Sequence, residues 1–239
     1  ILSSISNISL SHEFWIDPKN YHLLNDEKAI ANIFIGENFE GSPIPFTKEY
    51  FKISFLHSKD GKSKIKGRLG DIPALNIKKM SQGLNVIQIE SVTKYVEYEK
   101  LVKFEIFTRE KGYPNLAQKH KENNYPENFF ESYKRYAKSL ISVENFDGKD
   151  IDTNMDFELI FLDNPLKNLN ESKRILLEYK NKILADHKVS IMSLNNGYFR
   201  KEYVRTNEGG YFDYLFKKNT KYLIESVVII EGSNKKKDN

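Results

Sequence analysis

Short runs of alternating apolar and polar residues, separated by turn residues, recur along most of this chain. In the clearest run, Phe51, Ile53 and Phe55 alternate with polar residues. Successive side chains of a β-strand point to opposite faces, so this period of two predicts a strand with one buried face. Many short strands of this kind, divided by turns, favour a β-sandwich over a parallel α/β sheet.

The period changes in one region, where the apolar residues between positions 98 and 111 recur at helical spacing. We expect a helix over about residues 99–111, ended by Gly112 and Pro114. The charged segment 116–124 is interpreted as a second helix and segment 126–136 as a third. The predicted strands are thus interrupted by a short helical insertion.

Two loop predictions follow from glycine and proline. Residues 36–45 contain two glycines and two prolines, which predicts an irregular loop after a strand over residues 28–35. The Asp60-Gly61 pair predicts a tight hairpin turn, with a return strand over residues 64–69.

A polar, turn-rich segment at residues 146–154 is the best candidate for a linker. We therefore predict a mainly β protein made of two β-sandwich domains of immunoglobulin-like or transthyretin-like type. The first covers residues 12–147 and carries the helices near 99–133. The second is a small sandwich over residues 148–239.

Composition excludes several classes of site. The chain of 239 residues has no cysteine, which rules out disulfides, zinc–thiolate sites, iron–sulfur clusters and thiol nucleophiles. Lys and Arg number 37 against 33 Asp and Glu, and they are interspersed, so no nucleic-acid partner is expected. No apolar run approaches the roughly 20 residues that a transmembrane helix needs.

The first eleven residues are uncharged and end in a small-x-small pattern at Ser9 and Ser11. This is typical of a signal-peptidase site, so we interpret residues 1–11 as the remnant of a signal peptide. Cleavage there would export the protein and make His12 its mature N-terminus. The alternative is that these residues form a disordered tail of a cytoplasmic protein.

A free amine and an imidazole on one residue can chelate a single metal ion once both are deprotonated, which makes His12 the leading candidate ligand. The same residues, from His12 to Trp15, are also expected to begin the first β-strand. His22 would join the site if the intervening segment forms a hairpin, with Glu13 or Asp17 supplying an oxygen. We therefore predict a metal site at His12, Glu13 and His22, suited to nickel, cobalt, copper or zinc.

Motifs of catalysis are absent from the sequence. There is no Gly-rich phosphate loop, no Gly-x-Ser-x-Gly elbow and no His-Glu-x-x-His, so we expect no enzymatic activity. The 14 Tyr and 16 Phe residues are interpreted as core. The alternative is a carbohydrate-binding module with exposed aromatic side chains.

Six segments in order resemble the bacterial exported proteins grouped as domain of unknown function 4198. These are residues 11–18 (SHEFWIDP), 36–45 (GENFEGSPIP), 83–90 (GLNVIQIE), 103–112 (KFEIF and EKG), 133–140 (YKRYAKSL) and 205–212 (RTNEGGYF). The resemblance runs from His12 to about Ile230.

This resemblance implies export to the periplasm and a non-enzymatic role in the uptake of nickel or cobalt, with a membrane metal transporter as partner. Two departures bear on that expectation. Val228 stands where the family tends to have a histidine, and the chain ends before the family's Trp-rich final strand, which leaves the second sandwich incomplete. The alternative function is a structural or protein-interaction module that binds no metal.

Overall fold

The computed structural model of this protein describes residues 12–232, and the predicted signal-peptide remnant lies outside them. Strands make up 47% and helices 8% of the residues, which confirms the mainly β prediction. The elements up to residue 143 are β1 (Glu13–Pro18), β2 (His22–Leu23), β3 (Ala29–Glu37), β4 (Glu40–Pro43), β5 (Phe51–Ser58), β6 (Gly61–Lys64), β7 (Leu75–Ile77), β8 (Gly83–Ser91), β9 (Lys94–Tyr98), α1 (Leu101–Glu110), α2 (Leu116–Glu122), β10 (Phe129–Tyr133) and β11 (Tyr136–Val143). The elements that follow are β12 (Phe157–Phe161), β13 (Ser172–Tyr179), β14 (Lys182–Ile183), β15 (Lys188–Asn195), β16 (Tyr198–Arg205), β17 (Tyr211–Leu215) and β18 (Lys221–Glu225).

The first eleven strands form three small sheets. One has the order β1-β3-β4 with β7 also paired to β3, the second has the order β2-β11-β8-β5-β6, and the third is the β9–β10 pair. All these pairs are antiparallel except the short parallel contact of β2 with β11. Neither described helix is long and apolar enough to cross a membrane.

The last seven strands form two further antiparallel sheets. In one, β13 lies between β12 and β17 and also pairs with β14. In the other, β15 lies between β16 and β18. No sheet combines strands from both sides of the predicted linker among the described residues. The two-sandwich arrangement and the division near residue 147 nevertheless stay predictions.

Three hydrophobic clusters support this architecture. The largest is built around Ile33, Ile87 and Ile141 and lies between the first two sheets. A second cluster around Leu177 and Ile191 lies between the last two sheets. Residues from different sheets therefore share one core in each of these two clusters.

The third cluster joins the helices to the β9–β10 hairpin. Tyr98 stacks on Phe129 with ring centroids 5.1 Å apart, and Phe104 of α1 meets both rings edge-on. Val227 and Ile229, which follow β18, pack against the same cluster. The C-terminal part of the described chain thus returns to cover the helical insertion.

The helix predictions are confirmed for α1 and α2 and wrong for the third helix. Residues 126–136 contain β10, whose Phe129 lies opposite Tyr98 of β9. The intermediate burial of Phe129, Glu131 and Tyr133 alternates with exposed residues, which is a period of two. Pairing with β9 therefore decided the structure of this segment.

The prediction of an irregular loop over residues 36–45 is also wrong. Strand β3 continues to Glu37, and β4 returns beside it through Asn38 and Phe39, both of which have positive φ. Two such residues make the kind of turn that matches strand twist in a two-residue hairpin. Gly36 permits the pairing, since a Cβ there would lie 2.0 Å from the Glu40 carbonyl oxygen.

The hairpin turn at Asp60-Gly61 is confirmed, but its return strand begins earlier than expected. Strand β6 covers Gly61–Lys64, with Ser58 opposite Gly61, so the predicted strand over residues 64–69 is wrong. The tight turn brings the two strands together at once, and the ladder ends after four residues.

A buried ion cluster connects β11 to the linker and β12. The ammonium of Lys138 lies 2.9 Å from Asp150 and 2.7 Å from Glu158, and the side chains are 9%, 0% and 2% exposed. Thr153 donates its backbone N–H and hydroxyl to Glu158, and Phe161 donates its N–H to Asp150. Burial raises the pKa of both carboxyl groups, and Lys138 opposes that shift.

We predict that Lys138→Met lowers the unfolding free energy by about 3–5 kcal/mol, because two buried carboxylates lose their cation. The matched control is Arg174→Met, which removes an exposed ion pair with Asp213 and should cost much less. Urea denaturation at neutral pH, followed by circular dichroism, measures both. Equal stability of the two variants would contradict a structural role for the cluster.

Candidate functional site

A cavity of about 1440 Å³ opens between parts of the chain that are distant in sequence. Its wall includes residues from β1, β9, β10, β11 and β18, and from the end of α1. Both aromatic and charged side chains line it. Concave sites that combine apolar walls with a few polar groups are where ligands usually bind, so this cavity is the candidate site.

Glu13 lies in the wall of this cavity at the start of β1, and only 3% of the residue is exposed. Its Oε2 accepts a hydrogen bond of 2.9 Å from the backbone N–H of Asn38. Its Oε1 lies 3.6 Å from the ammonium of Lys201 on β16. Glu13 thereby ties β1 to the β3–β4 turn and to the sheet of β16.

A second ion pair lies nearby and faces the same cavity. Lys111, just after α1, donates a 2.6 Å hydrogen bond to Oε1 of Glu225 on β18. The other oxygen of Glu225, Oε2, is buried without a hydrogen-bond partner in the described part of the chain. We call Glu13, Lys201, Glu225 and Lys111 the charge cluster.

Burial raises the pKa of Glu13, and the negative charge of Glu225 raises it further. The Asn38 N–H and the two lysines of the charge cluster act in the opposite direction. The two glutamates are therefore close enough to repel each other, although each also has a lysine. Such a cluster fixes geometry more than it adds net stability.

His12 is half-buried and lies in the wall of the cavity, one residue ahead of β1. Strand β1 is held by six register pairs with β3, from Glu13 opposite Gly36 to Pro18 opposite Ala31. The position of His12 is therefore defined by a strand that is anchored along its whole length.

His22 has a different environment. It is exposed on β2, and its ring stacks on Phe146 with centroids 4.8 Å apart. Within residues 12–232 there is no group of three or more His, Cys, Asp or Glu side chains that could hold a metal ion. The structure therefore does not gather His12, Glu13 and His22 into one ligand set, and metal binding stays a prediction.

Sequence reasoning missed another acidic residue of the cavity wall. The hydroxyl of Tyr98 donates a 3.2 Å hydrogen bond to Oε2 of Glu131 on β10. Burial raises the pKa of both groups. The sequence signal for Glu131 is the alternation of Phe129, Glu131 and Tyr133, which places all three on one face of a strand. It was missed because the segment was predicted to be a helix.

A comparison with protein-family models gives a match. The family model described as "Domain of unknown function (DUF4198)" matches residues 9–229. No curated protein matches the chain.

The raised pKa of Glu13 gives a prediction for pH dependence. A raised carboxyl pKa contributes stability that is complete below the unfolded value of 4.5 and is lost as the pH rises through the folded value. We therefore expect the unfolding free energy of the wild type, measured relative to Glu13→Gln, to fall as the pH rises from 4.5 through the raised pKa of folded Glu13.

Urea denaturation across this range measures the difference. The control is Glu40→Gln on β4, which replaces a carboxylate with an amide at an exposed position. If the wild type instead gains stability relative to Glu13→Gln as the pH rises, the attraction of Lys201 outweighs burial and the prediction fails.

Proposed function

The chain belongs to the DUF4198 family, and from this premise we propose that it is a periplasmic, non-enzymatic protein that binds nickel or cobalt ions at its mature N-terminus. The N-terminus is the one that cleavage before His12 creates. The partner that this role requires is a membrane metal transporter. The proposal also includes two β-sandwich domains that meet near residue 147.

The observation that carries the proposal is the position of His12. It lies in the wall of the large cavity, directly ahead of a strand that is fixed by β3 and by the contacts of Glu13. A new α-amine on this residue would stand beside its own imidazole at a defined place. Amine and imidazole nitrogens suit nickel, cobalt and copper, and copper is the strongest competitor in affinity.

The side chains near His12 limit which of them serves as a ligand. Both oxygens of Glu13 already face donors, and the ammonium of Lys201 at 3.6 Å would repel a cation bound there. Glu13 fits the role of positioning β1, and the ligands are the amine and ring of His12. Water or other ligands of the metal ion would fill the remaining coordination positions.

The predicted ligand His22 is placed on β2, stacked on Phe146 and absent from the cavity wall. This makes it an internal control. If the metal binds at His12 alone, His22→Ala should leave the affinity unchanged.

The experiment titrates nickel, cobalt and copper, by calorimetry, into protein that begins at His12 and into protein that keeps Ser11 ahead of it. We expect binding to the first to be at least about tenfold tighter, a difference of about 1.4 kcal/mol. The advantage should shrink as the pH falls below about 8, because the free α-amine must lose its proton to bind. His12→Ala should behave like the Ser11 form.

Each other result counts against the proposal. Equal affinity of the two forms would place the metal elsewhere. A loss of affinity in His22→Ala would show that His22 is also a ligand. Absence of binding to both forms would favour the structural or protein-interaction module.

A further inference from the structure

Strand β16 is an unpaired edge of its sheet. It pairs with β15 along its whole length, from Tyr198 opposite Asn195 to Arg205 opposite Lys188. In the part of the chain that the structure describes, no other strand pairs with it. An edge strand of eight residues offers a row of backbone N–H and C=O groups to another strand.

Three aromatic side chains of β16 are exposed. Tyr198 is 83% exposed, Tyr203 is 52% exposed and Phe199 is 42% exposed. Edges that must stay single are usually protected by charges, prolines or bulges, whereas aromatic residues are enriched in protein interfaces. This edge has both features, since its aromatic residues stand beside four charged ones (Arg200, Lys201, Glu202 and Arg205), and the pairing of these charges decides whether a second strand fits.

We propose that β16 pairs antiparallel with β16 of a second copy of this chain, about a two-fold axis through Lys201. Residues directly opposite in an antiparallel pair point to the same face of the sheet, and so do a residue and its symmetry mate. The pair must therefore be centred on a residue that lies opposite its own mate. The residues on either side of the axis then face each other reciprocally. The sequence of β16 can be tested against each position of the axis.

With Lys201 on the axis, every other pair is complementary. Arg200 faces Glu202 of the second copy, Phe199 faces Tyr203, and Tyr198 faces Val204. Each of these pairs occurs twice. Opposite charges and aromatic or β-branched pairs directly across an antiparallel ladder are stabilising.

The neighbouring positions of the axis are worse. An axis through Arg200 sets two arginines face to face and places Phe199 opposite Lys201. An axis through Glu202 sets two glutamates face to face and opposes Arg200 with Val204. Like charges directly opposite are destabilising, so the register centred on Lys201 is favoured.

The two central lysines are the one unfavourable pair, and the structure reduces its effect. The ammonium of Lys201 is directed to Glu13 of its own chain, at 3.6 Å, and its side chain is 19% exposed. Glu202 is also held in place, since it accepts a 2.7 Å hydrogen bond from Tyr214 and lies 2.8 Å from Arg200.

The absence of cysteine from the chain makes the register measurable. Residues directly opposite in an antiparallel pair have Cα atoms about 4.5–5.5 Å apart, which a disulfide can bridge. Lys201→Cys would face its own mate, whereas the two copies of Tyr198→Cys would lie about 20 Å apart. On oxidation we expect a covalent dimer of Lys201→Cys and none of Tyr198→Cys.

A second measurement keeps Lys201 in place. By sedimentation and light scattering, the wild type should dimerise with a dissociation constant that rises at least tenfold in Arg200→Glu and in Glu202→Arg. The double exchange Arg200→Glu with Glu202→Arg should restore dimers, and circular dichroism verifies that each variant is folded.

A wild type that is monomeric at all accessible concentrations would overturn the proposal. Crosslinking of Tyr198→Cys instead of Lys201→Cys would overturn the register. Dimers that the charge changes leave intact would overturn β16 as the contact surface. Both measurements are made without metal, so they are independent of the function proposed for His12.

Discussion

Buried and half-buried ion pairs join the first eleven strands to the last seven. Lys138 of β11 binds Asp150 in the linker and Glu158 on β12. Glu13 lies 3.6 Å from Lys201, and Asp17 accepts a 2.7 Å hydrogen bond from Lys221. Hydrogen-bonded sheets do not cross this boundary among the described residues, so the two parts are held by these pairs together with other side-chain contacts, such as those of Val227 and Ile229 with the helical cluster. Charges that need exact partners specify one arrangement, whereas apolar contacts alone tolerate several.

The charged contacts also determine what the cavity can present. Strand β1 supplies two of these connections, through Glu13 and Asp17, and it is paired with β3 along its length. The residue ahead of β1 is therefore held at the cavity wall by contacts that do not involve its own side chain. A ligand placed there does not have to order the strand, which reduces the entropic cost of binding.

Local patterns were enough to predict most strands and both helices. The alternation of Phe51, Ile53 and Phe55 predicted β5 but not its buried face. A bulge between Phe51 and Ile53 shifts the register, so Leu56 joins Phe51 in the core and Ile53 and Phe55 are only half-buried. The helical spacing around Phe104 predicted α1, because the buried residues of that helix share one face. The hairpin of β3 and β4 was missed because glycine and proline usually interrupt a ladder. Here Gly36 lies opposite Gly41 in the register, so the two backbones approach closely.

The candidate site was less predictable, for a physical reason. Glu13, Lys111, Lys201 and Glu225 come from four distant parts of the chain, and no local pattern relates them. Glu13 was identified from the sequence, but as a metal ligand, since its neighbour His12 invites that interpretation. Only the fold shows that Lys201 lies at its carboxylate. The same lack of local signal applies to the parallel contact of β2 with β11, which places His22 away from the cavity wall.

The charge cluster also bears on how a cation would be held at His12. Its two glutamates and two lysines cancel, so the cluster exerts little net attraction on a metal ion, and its own pairs would have to break before a carboxylate became a ligand. Breaking them would leave lysines buried without partners, which is costly. The metal ion that we propose at this wall would therefore be bound by the nitrogens of His12, and its affinity would depend on whether the amine of that residue is free.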